Sequence, residues 1–311
     1  MIYYINYPDI DKKKWDQCIN ESPNGLTYCY SWYLDIVAEN WDALVNDDYS
    51  QIFPIVYNRK LGIKYIYNPP FTQQLGLFSK NNISQNDIFS FLNAIPHSFC
   101  YGDLNLNTDN NITEHPEYKI FNNTTCHLRV NNDIAINRKN YSDNTKRNIK
   151  KAISNNIKIV ENIPPEDIIT LFRKNKGITI PNLKEKDFLI LKKLMQLCIN
   201  KKLVKCWGAF TKYNELCAGA FFLISKNKSV FLFSGLNEQG KQNGAMPYLI
   251  DKYLESISGK IEIFDFEGSN NSNLTRFYKS FGSEVRTYQR ITINHIPFIL
   301  KPWFYLYKYL R

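Results

Sequence analysis

Two carboxylates close the strand-like segment IEIFDFEG at 261–268. Side chains alternate between the two faces of a strand, so the pattern predicts that Asp265 and Glu267 lie on the same face. Burial there raises the pKa of a carboxyl group, which suits a general base or the anchor of a cationic amine. In the structural alternative, Asp265 bonds loop amides and Glu267 pairs with Arg276.

A helix is predicted at 274–281, and the polar stretch SNNSN before it offers several N-caps. An exposed helix N-terminus at this point would hold an anion or stabilise an oxyanion. Within the helix, Tyr278 is a candidate proton donor to a leaving group, and Lys279 is a candidate phosphate ligand. Core packing is the alternative role for Tyr278, and a solvated position is the alternative for Lys279.

A glycine-containing loop, LNEQGKQNGAM at 236–246, separates a predicted strand from a predicted helix. Glycine lets backbone amides approach a phosphate, so Gly240 and Gly244 are candidate phosphate-binding positions, and Lys241 adds a charge. Many turns contain two glycines, and the loop alone is therefore a weak signal. The full set of predicted cofactor-binding residues is Gly240, Lys241, Gly244, Ala245, Asn273, Arg276 and Lys279.

Charge is unevenly distributed along the 311 residues, whose formal net charge is +10. Residues 1–133 carry 9 Lys and Arg against 15 Asp and Glu, whereas residues 134–311 carry 30 against 14. The asymmetry indicates that the basic half meets a nucleic acid, a nucleotide-bearing cofactor or a phosphorylated substrate, with a solvated basic surface as the alternative. The segment 138–155 is basic, and a helix capped by Ser142 or Asp143 is predicted to end near residue 155. Its candidate nucleic-acid or phosphate contacts are Lys146, Arg147, Lys150 and Lys151.

Cysteine and histidine usage argues against a disulfide framework and a metal site. The 7 Cys are odd in number and form no Cys-x-x-Cys, which favours reduced thiols in a cytoplasmic protein. The 4 His show no metal-ligand spacing, so no metal is predicted. The start of the sequence lacks the order of a signal peptide, and no apolar run approaches the roughly 18 residues of a transmembrane helix. We therefore expect a cytoplasmic protein without stable membrane insertion.

The pattern of predicted helices and strands that must position these residues changes near residue 135. The first half has the patterns of a mixed α/β domain, with a helix at 31–40 and short strands bounded by Asn, Asp, Gly and Pro. In the second half, the spacing predicts a helix at 185–200, an antiparallel meander over 203–235 and a further helix at 247–258.

The order of these motifs resembles the GNAT superfamily. Three strands, a glycine loop, a helix and then DFEGS…FYKSFG resemble more closely its Fem-type (FemABX-like) branch and the bacterial acetyltransferase-6 proteins, whose second domain carries D-F-x-G…F-K-x-x-F-G. In the first half, SWYLDIVAENWDAL (31–44) and NPPFTQQLGLFS (68–79) are similar to the N-terminal domain of that group. The matching second-domain positions are Asp265, Phe266, Gly268, Phe277, Phe281 and Gly282.

The resemblance implies two tandem GNAT-like α/β domains, at 1–136 and 137–311, with mostly antiparallel sheets flanked by helices. The active site would lie in the second domain, and a helix after Pro302 would pack back on the first. The reaction would transfer an acyl or aminoacyl group from acyl-CoA or aminoacyl-tRNA to the amine of a cell-wall precursor or small molecule. The protein would be a bacterial monomer or weak dimer, with tRNA as a further partner. Candidate substrate-binding residues are Trp32, Gln73 and Gln74, and a rigid turn is the alternative for the two Gln.

Two departures from the family pattern leave the donor open. The family's Lys in F-K-x-x-F-G falls on Tyr278, with Lys279 one place later. The acetyl-CoA signature around Gly244 is degenerate, since Lys241 and Met246 occupy the aligned positions. Three hypotheses follow: a Fem-type aminoacyl transferase, an acetyl-CoA-dependent N-acetyltransferase of an amino sugar or metabolite, and a non-catalytic GNAT-like binding protein.

Overall fold

The chain forms two compact units. They are seen in a computed structural model that describes residues 1–60, 62–114, 116–179, 183–268 and 270–296. The first unit holds residues 1–123 and the described chain from residue 287 onward, and the second holds residues 124–286. The chain thus enters its second unit before residue 136, where the sequence predicts the boundary. The tail helix predicted after Pro302 lies outside the described residues.

Helices and strands alternate along the whole described chain. In chain order, the elements are β1 (Ile2–Ile5), α1 (Lys12–Glu21), α2 (Ser31–Val37), β2 (Asn40–Asn46), β3 (Gln51–Lys60), β4 (Ile63–Ile66), β5 (Phe78–Ser79), α3 (Gln85–Asn93), β6 (Phe99–Asn105), β7 (Lys119–Arg129), α4 (Ile134–Lys139), α5 (Asp143–Ser154), β8 (Lys158–Glu161), α6 (Pro165–Lys174), α7 (Glu185–Asn200), β9 (Val204–Phe210), β10 (Leu216–Ser225), β11 (Lys228–Leu236), α8 (Glu238–Gln242), α9 (Ala245–Ile257), β12 (Ile263–Asp265), α10 (Ser272–Lys279) and β13 (Glu284–Asn294).

In the first unit the strands follow the order β1-β2-β3-β4-β6-β13. Neighbours are antiparallel except for the parallel pair of β4 and β6. Helix α3 starts at a capping box of Ser84 and Asp87, which satisfies its first amides, and buries Phe91 against Phe53 of β3. This packing gives the first unit a core of its own.

In the second unit the strands follow the order β7-β12-β11-β10-β9-β8, and only the pair of β11 and β12 is parallel. One face of this sheet packs on α5 and α9, where the rings of Tyr253 and Phe222 stack with their centroids 3.5 Å apart. The other face packs on α6, where Phe172 contacts Phe233 at 4.8 Å. The helices therefore cover β9, β10 and β11 from both sides.

The parallel pair of β11 and β12 is short. Pairing covers only Lys228–Val230 and Ile263–Asp265, after which β11 continues to Leu236. Beside it, the register between β10 and β11 shifts at Phe221 and Phe222, as in a β-bulge. Because their pairing ends at Asp265, the two parallel strands part at that residue. The candidate active site lies there.

The structure shortens the strand predicted at 261–268, because β12 ends at Asp265. Glu267 follows it with a φ of +54°, a left-handed conformation that no strand residue adopts. The prediction that alternation carries Glu267 onto the face of Asp265 is therefore wrong. The loop predicted at 236–246 also contains a short helix, α8.

Among the described residues, every helix is too short or too polar to cross a bilayer.

Candidate active site

Asp265 is a buried carboxylate at the end of β12, with 5% of the residue exposed. Its Oδ1 accepts hydrogen bonds from the Thr125 hydroxyl and the Glu267 amide, each at 2.8 Å. Its Oδ2 lies 3.1 Å from Nε2 of His127. We call Thr125, His127 and Asp265 the carboxylate cluster. One carboxylate oxygen is thus held by neutral donors, while the other faces a titratable ring.

The register between β7 and β12 brings His127 directly opposite Asp265. The Nε2 atom of His127 is buried and, although 3.1 Å from the carboxylate, is not aligned with it as a hydrogen bond. Sequence reasoning missed His127 because a single histidine in CHLRV has no recognisable partner nearby. The available signal was alternation: Cys126 and Leu128 are buried in the core, which turns His127 to the opposite face of β7.

The turn after β12 is built around Thr125. The Gly268 amide donates to Thr125 Oγ1 at 3.1 Å, and a Cβ on Gly268 would lie only 2.2 Å from the Thr125 Cα. Only glycine therefore fits this close approach of the two backbones. Asp265 bonds the loop amide of Glu267, as the structural alternative expected, and it also faces His127.

Tyr278 lies on the core side of α10 with 9% of the residue exposed. Its ring stacks on Phe266 at 4.9 Å. Burial, followed by the negative charge of Glu267, raises the pKa of the Tyr278 hydroxyl well above its usual value. Burial likewise raises the pKa of the Cys126 thiol, so no thiolate nucleophile is offered at that position. The position of Tyr278 favours a packing role.

A cavity of about 690 Å³ lies beside the carboxylate cluster, and His127 forms part of its lining. All of its lining residues belong to the second unit. They include Arg129 of β7, Glu262 just before β12, Ile263 at its start, and Arg286 in the first residues of β13, which belong to the second unit. A small polar molecule that enters this cavity would therefore reach His127.

Comparison with solved structures identifies the fold. FemX has a TM-score of 0.66 to this chain at 11% identity, and the match covers 98% of this chain and 99% of FemX. A tandem GNAT protein from the clavulanic acid biosynthesis pathway has a TM-score of 0.54 at 9% identity, over 96% of this chain and 99% of its own. A conserved Bacteroides thetaiotaomicron protein of unknown function has a TM-score of 0.62 at 8% identity, over 94% and 100%. The chain has a tandem GNAT-like fold.

No protein-family model and no curated protein matches the GNAT-like chain by sequence. At these identities the structural matches establish the fold and leave the chemistry to be argued from the site.

Two amides in the glycine loop of this GNAT-like chain are bonded within the protein. The amide of Gly240 donates to the Asn237 side chain at 2.8 Å, and that of Gly244 to the Lys241 carbonyl at 3.3 Å. A Cβ on Gly244 would lie 2.4 Å from the Asn148 carbonyl oxygen of α5. Packing against α5 thus accounts for this glycine. The phosphate role of Gly240, Lys241, Gly244 and Ala245 stays a prediction.

The N-terminus of α10 is also occupied internally. The side chain of Asn271 accepts hydrogen bonds from the amides of Asn273 and Leu274 at 3.0 and 3.3 Å. Asn273, Arg276 and Lys279 are exposed, as the solvated alternative for Lys279 expected. Their predicted contacts with a donor are untested.

Helix α5 carries a continuous basic face. Its N-cap is Ser142, whose hydroxyl accepts from the Thr145 amide at 3.2 Å. Arg147, Lys150 and Lys151 are exposed, and no carboxylate among the described residues pairs with them. Lys146 is half-buried and donates to the Lys139 carbonyl. The four positions remain candidate phosphate contacts.

The predicted substrate residues of the first unit support its own fold. Gln74 is buried, and its Oε1 accepts from the Thr108 amide at 3.0 Å while its Nε2 donates to Gln73. Trp32 is half-buried and stacks on Tyr30 at 6.0 Å. Both amide side chains are engaged in a rigid turn, which was the structural alternative. Their contact with a substrate stays a prediction.

No group of three or more His, Cys, Asp or Glu side chains within the described ranges is arranged to hold a metal ion.

Proposed function

We propose that the chain is an N-acyltransferase whose active site lies in the second unit. It transfers an activated acyl or aminoacyl group to the amine of an acceptor. The carrying observation is the carboxylate cluster, in which a buried carboxylate faces His127 where β11 and β12 part and beside a cavity. A GNAT-like fold with a proton acceptor at this opening supports acyl transfer to an amine.

The reaction needs one proton acceptor. The acceptor amine attacks the acyl carbonyl carbon, a C–N bond forms, and the bond from that carbon to the donor oxygen or sulfur breaks. Asp265 orients His127 through Nε2, which leaves Nδ1 to take the proton that the amine loses and to return it to the leaving group. The contact of His127 with Asp265 tightens into a hydrogen bond when the acceptor is bound, since such bonds are often misaligned before binding.

An aminoacyl ester of tRNA suits the second unit better as donor than acyl-CoA does. The amide of Gly240 donates to the Asn237 side chain and that of Gly244 to the Lys241 carbonyl, so neither is open to a pyrophosphate. The exposed cations of α5, Arg147, Lys150 and Lys151, would instead contact a phosphate backbone. This assignment matches the Fem-type resemblance, with a cell-wall precursor or a small amine as acceptor in the cytoplasm.

Donor use is tested by incubating the full chain with labelled aminoacyl-tRNA or labelled acetyl-CoA and a mixture of amine acceptors. We expect transfer from aminoacyl-tRNA and a loss of about 100-fold in His127→Gln, because general bases contribute 10²- to 10⁴-fold. His97→Gln, at a histidine of the first unit, is the matched control and should keep the wild-type rate. Transfer from acetyl-CoA alone would reverse the donor assignment.

Retention of tRNA without turnover, together with an unchanged complex in His127→Gln, would support the non-catalytic alternative. A thermal-shift series with CoA esters separates the donors independently of turnover, since a bound ligand stabilises the folded state. No shift of the unfolding midpoint is expected with any CoA ester.

A further inference from the structure

Arg129 carries a guanidinium that has no carboxylate partner among the residues that the structure describes. The other arginines near it are paired: Arg138 with Asp251 at 2.8 Å, and Arg286 with Glu284 at 3.1 Å. The Arg129 side chain is exposed and lines the cavity of the proposed active site. It is therefore a charge on the cavity wall without an ion pair among the described residues.

Strand register places this charge on the wall that also carries the proposed base. Arg129 lies opposite Ile263, and His127 lies opposite Asp265. Residues two apart in a strand share a face and are separated by about 7 Å. The cavity thus contains a proton acceptor and, two residues along β7, a cation.

The carboxylates of the cavity wall are engaged elsewhere. Glu262 accepts a hydrogen bond from the Asn227 side chain at 2.8 Å, and Glu284 forms the ion pair with Arg286. Neither of them forms an ion pair with Arg129. Arg129 is therefore the guanidinium of this wall that remains able to bind a negative group on the molecule that enters.

We propose that the acceptor is an amine that also carries an anionic group, a carboxylate or a phosphate, and that Arg129 binds this group. The proposal rests on the proposed function, because it places the acceptor amine at His127. The amine and the anionic group lie on different atoms several bonds apart, as the spacing of His127 and Arg129 requires. The fork of the guanidinium holds either oxyanion through two parallel hydrogen bonds.

Equilibrium binding tests the proposal without any donor. Isothermal titration at low ionic strength compares each charged amine with its uncharged counterpart: glucosamine 6-phosphate with glucosamine, and 5-aminopentanoate with pentylamine. The two pairs distinguish a phosphate from a carboxylate. We expect at least one charged member to bind about tenfold more tightly than its counterpart, since a charge-assisted hydrogen bond contributes at least about that factor.

Substitution of Arg129 separates this contact from general charge effects. In Arg129→Gln the preference for the charged member should disappear while the uncharged amine binds as before, and Arg129→Lys should keep part of it. Arg59→Gln, which removes an exposed guanidinium of the first unit, is the matched control and should keep the full preference. Circular dichroism and the unfolding midpoint confirm that each variant is folded.

The proposal is overturned if neither charged amine is preferred by the wild type, or if Arg129→Gln and Arg59→Gln weaken binding equally. Failure of the proposed function has a different signature. In that case the anion preference and its dependence on Arg129 persist, but no donor is turned over with any amine.

Discussion

The two units each bury polar side chains just beyond the end of a strand, and they use them differently. In the first unit, Asn24, Gln74, Asn107 and Asn110 lie beside the end of β6, and we call them the amide cluster. In the second unit, the carboxylate cluster lies at the end of β12. All members of the amide cluster are at most 5% exposed, as is Asp265.

The side chains of the amide cluster form their hydrogen bonds within the protein. Asn110 accepts from the Leu77 amide at 2.7 Å and donates to the Leu77 carbonyl at 3.0 Å, while Asn107 donates to the carbonyls of Leu75 and Leu77 at 3.1 Å. Each side chain replaces a backbone partner that the loop lacks. Such a network stabilises a fold and offers little to a ligand.

The hydrogen bonding of the carboxylate cluster, in contrast, is incomplete. The Nε2 atom of His127 is buried 3.1 Å from Asp265 without forming an aligned hydrogen bond, and His127 is a lining residue of a cavity of about 690 Å³. Burial of polar groups therefore does not distinguish a site from a structural network. A functional site is distinguished from a structural network by incomplete hydrogen bonding next to a cavity.

Replacing the buried carboxylate should have the largest effect. We expect Asp265→Asn to lower the rate of acyl transfer about 100- to 1000-fold, because the amide no longer stabilises a protonated His127. Fold stability should change little, because the amide oxygen still accepts from Thr125 and Glu267. Initial rates and urea unfolding measure the two quantities.

Asp187→Asn is the matched control, since Asp187 is a buried carboxylate of the same unit that accepts from the Lys184 amide at the start of α7. It should leave the transfer rate unchanged. Equal losses of activity in the two variants would show that Asp265 has only a structural role, like Asp187, and the proposed difference between the two clusters would be wrong.

The amide cluster should respond in stability. Asn110→Ala leaves the amide and carbonyl of Leu77 without their partner in a fully buried position, at a cost of about 3 kcal/mol in the free energy of unfolding. Urea unfolding measures it, with Asn111→Ala at the exposed neighbour as control. A change in unfolding free energy below about 0.5 kcal/mol would show that water replaces the hydrogen bonds of the Asn110 side chain.

Local patterns in the sequence predicted the elements and one member of the site. Apolar runs separated by short turns located the antiparallel strands β9, β10 and β11, and an apolar strand ending in acids drew attention to Asp265. The conformation of Glu267 was not predictable in this way, because it depends on the close approach of Gly268 to Thr125, which is distant in sequence. The pairing of His127 with Asp265 likewise depends on strand register, which no local pattern specifies.

Tyr278 tests whether the site extends to the core side of the second unit. Its ring stacks on Phe266, and its raised pKa makes the hydroxyl a poor proton donor at neutral pH. We expect Tyr278→Phe to keep the transfer rate within about threefold and stability within about 1 kcal/mol, because the stacking ring is retained. A loss of 100-fold with an unchanged unfolding curve would restore Tyr278 as the proton donor.

A pair of histidines in the first unit should give a pH dependence of stability. The Nδ1 atoms of His97 and His295 lie 3.4 Å apart. Burial, followed by the positive charge of His97, lowers the pKa of His295 below its usual 6.5. The unfolded chain then binds more protons than the folded chain at acidic pH, so the stability is present above pH 6.5 and is lost as the pH falls through the folded pKa.

The expected loss is less than about 1 kcal/mol, because His295 is partly exposed and solvent screens the repulsion. It is measured as the difference in unfolding free energy between pH 7 and pH 5. His295→Gln should remove this component of the difference, and His97→Gln should shrink it by removing the repelling charge. If both variants keep the wild-type pH dependence, the loss of stability originates in other groups.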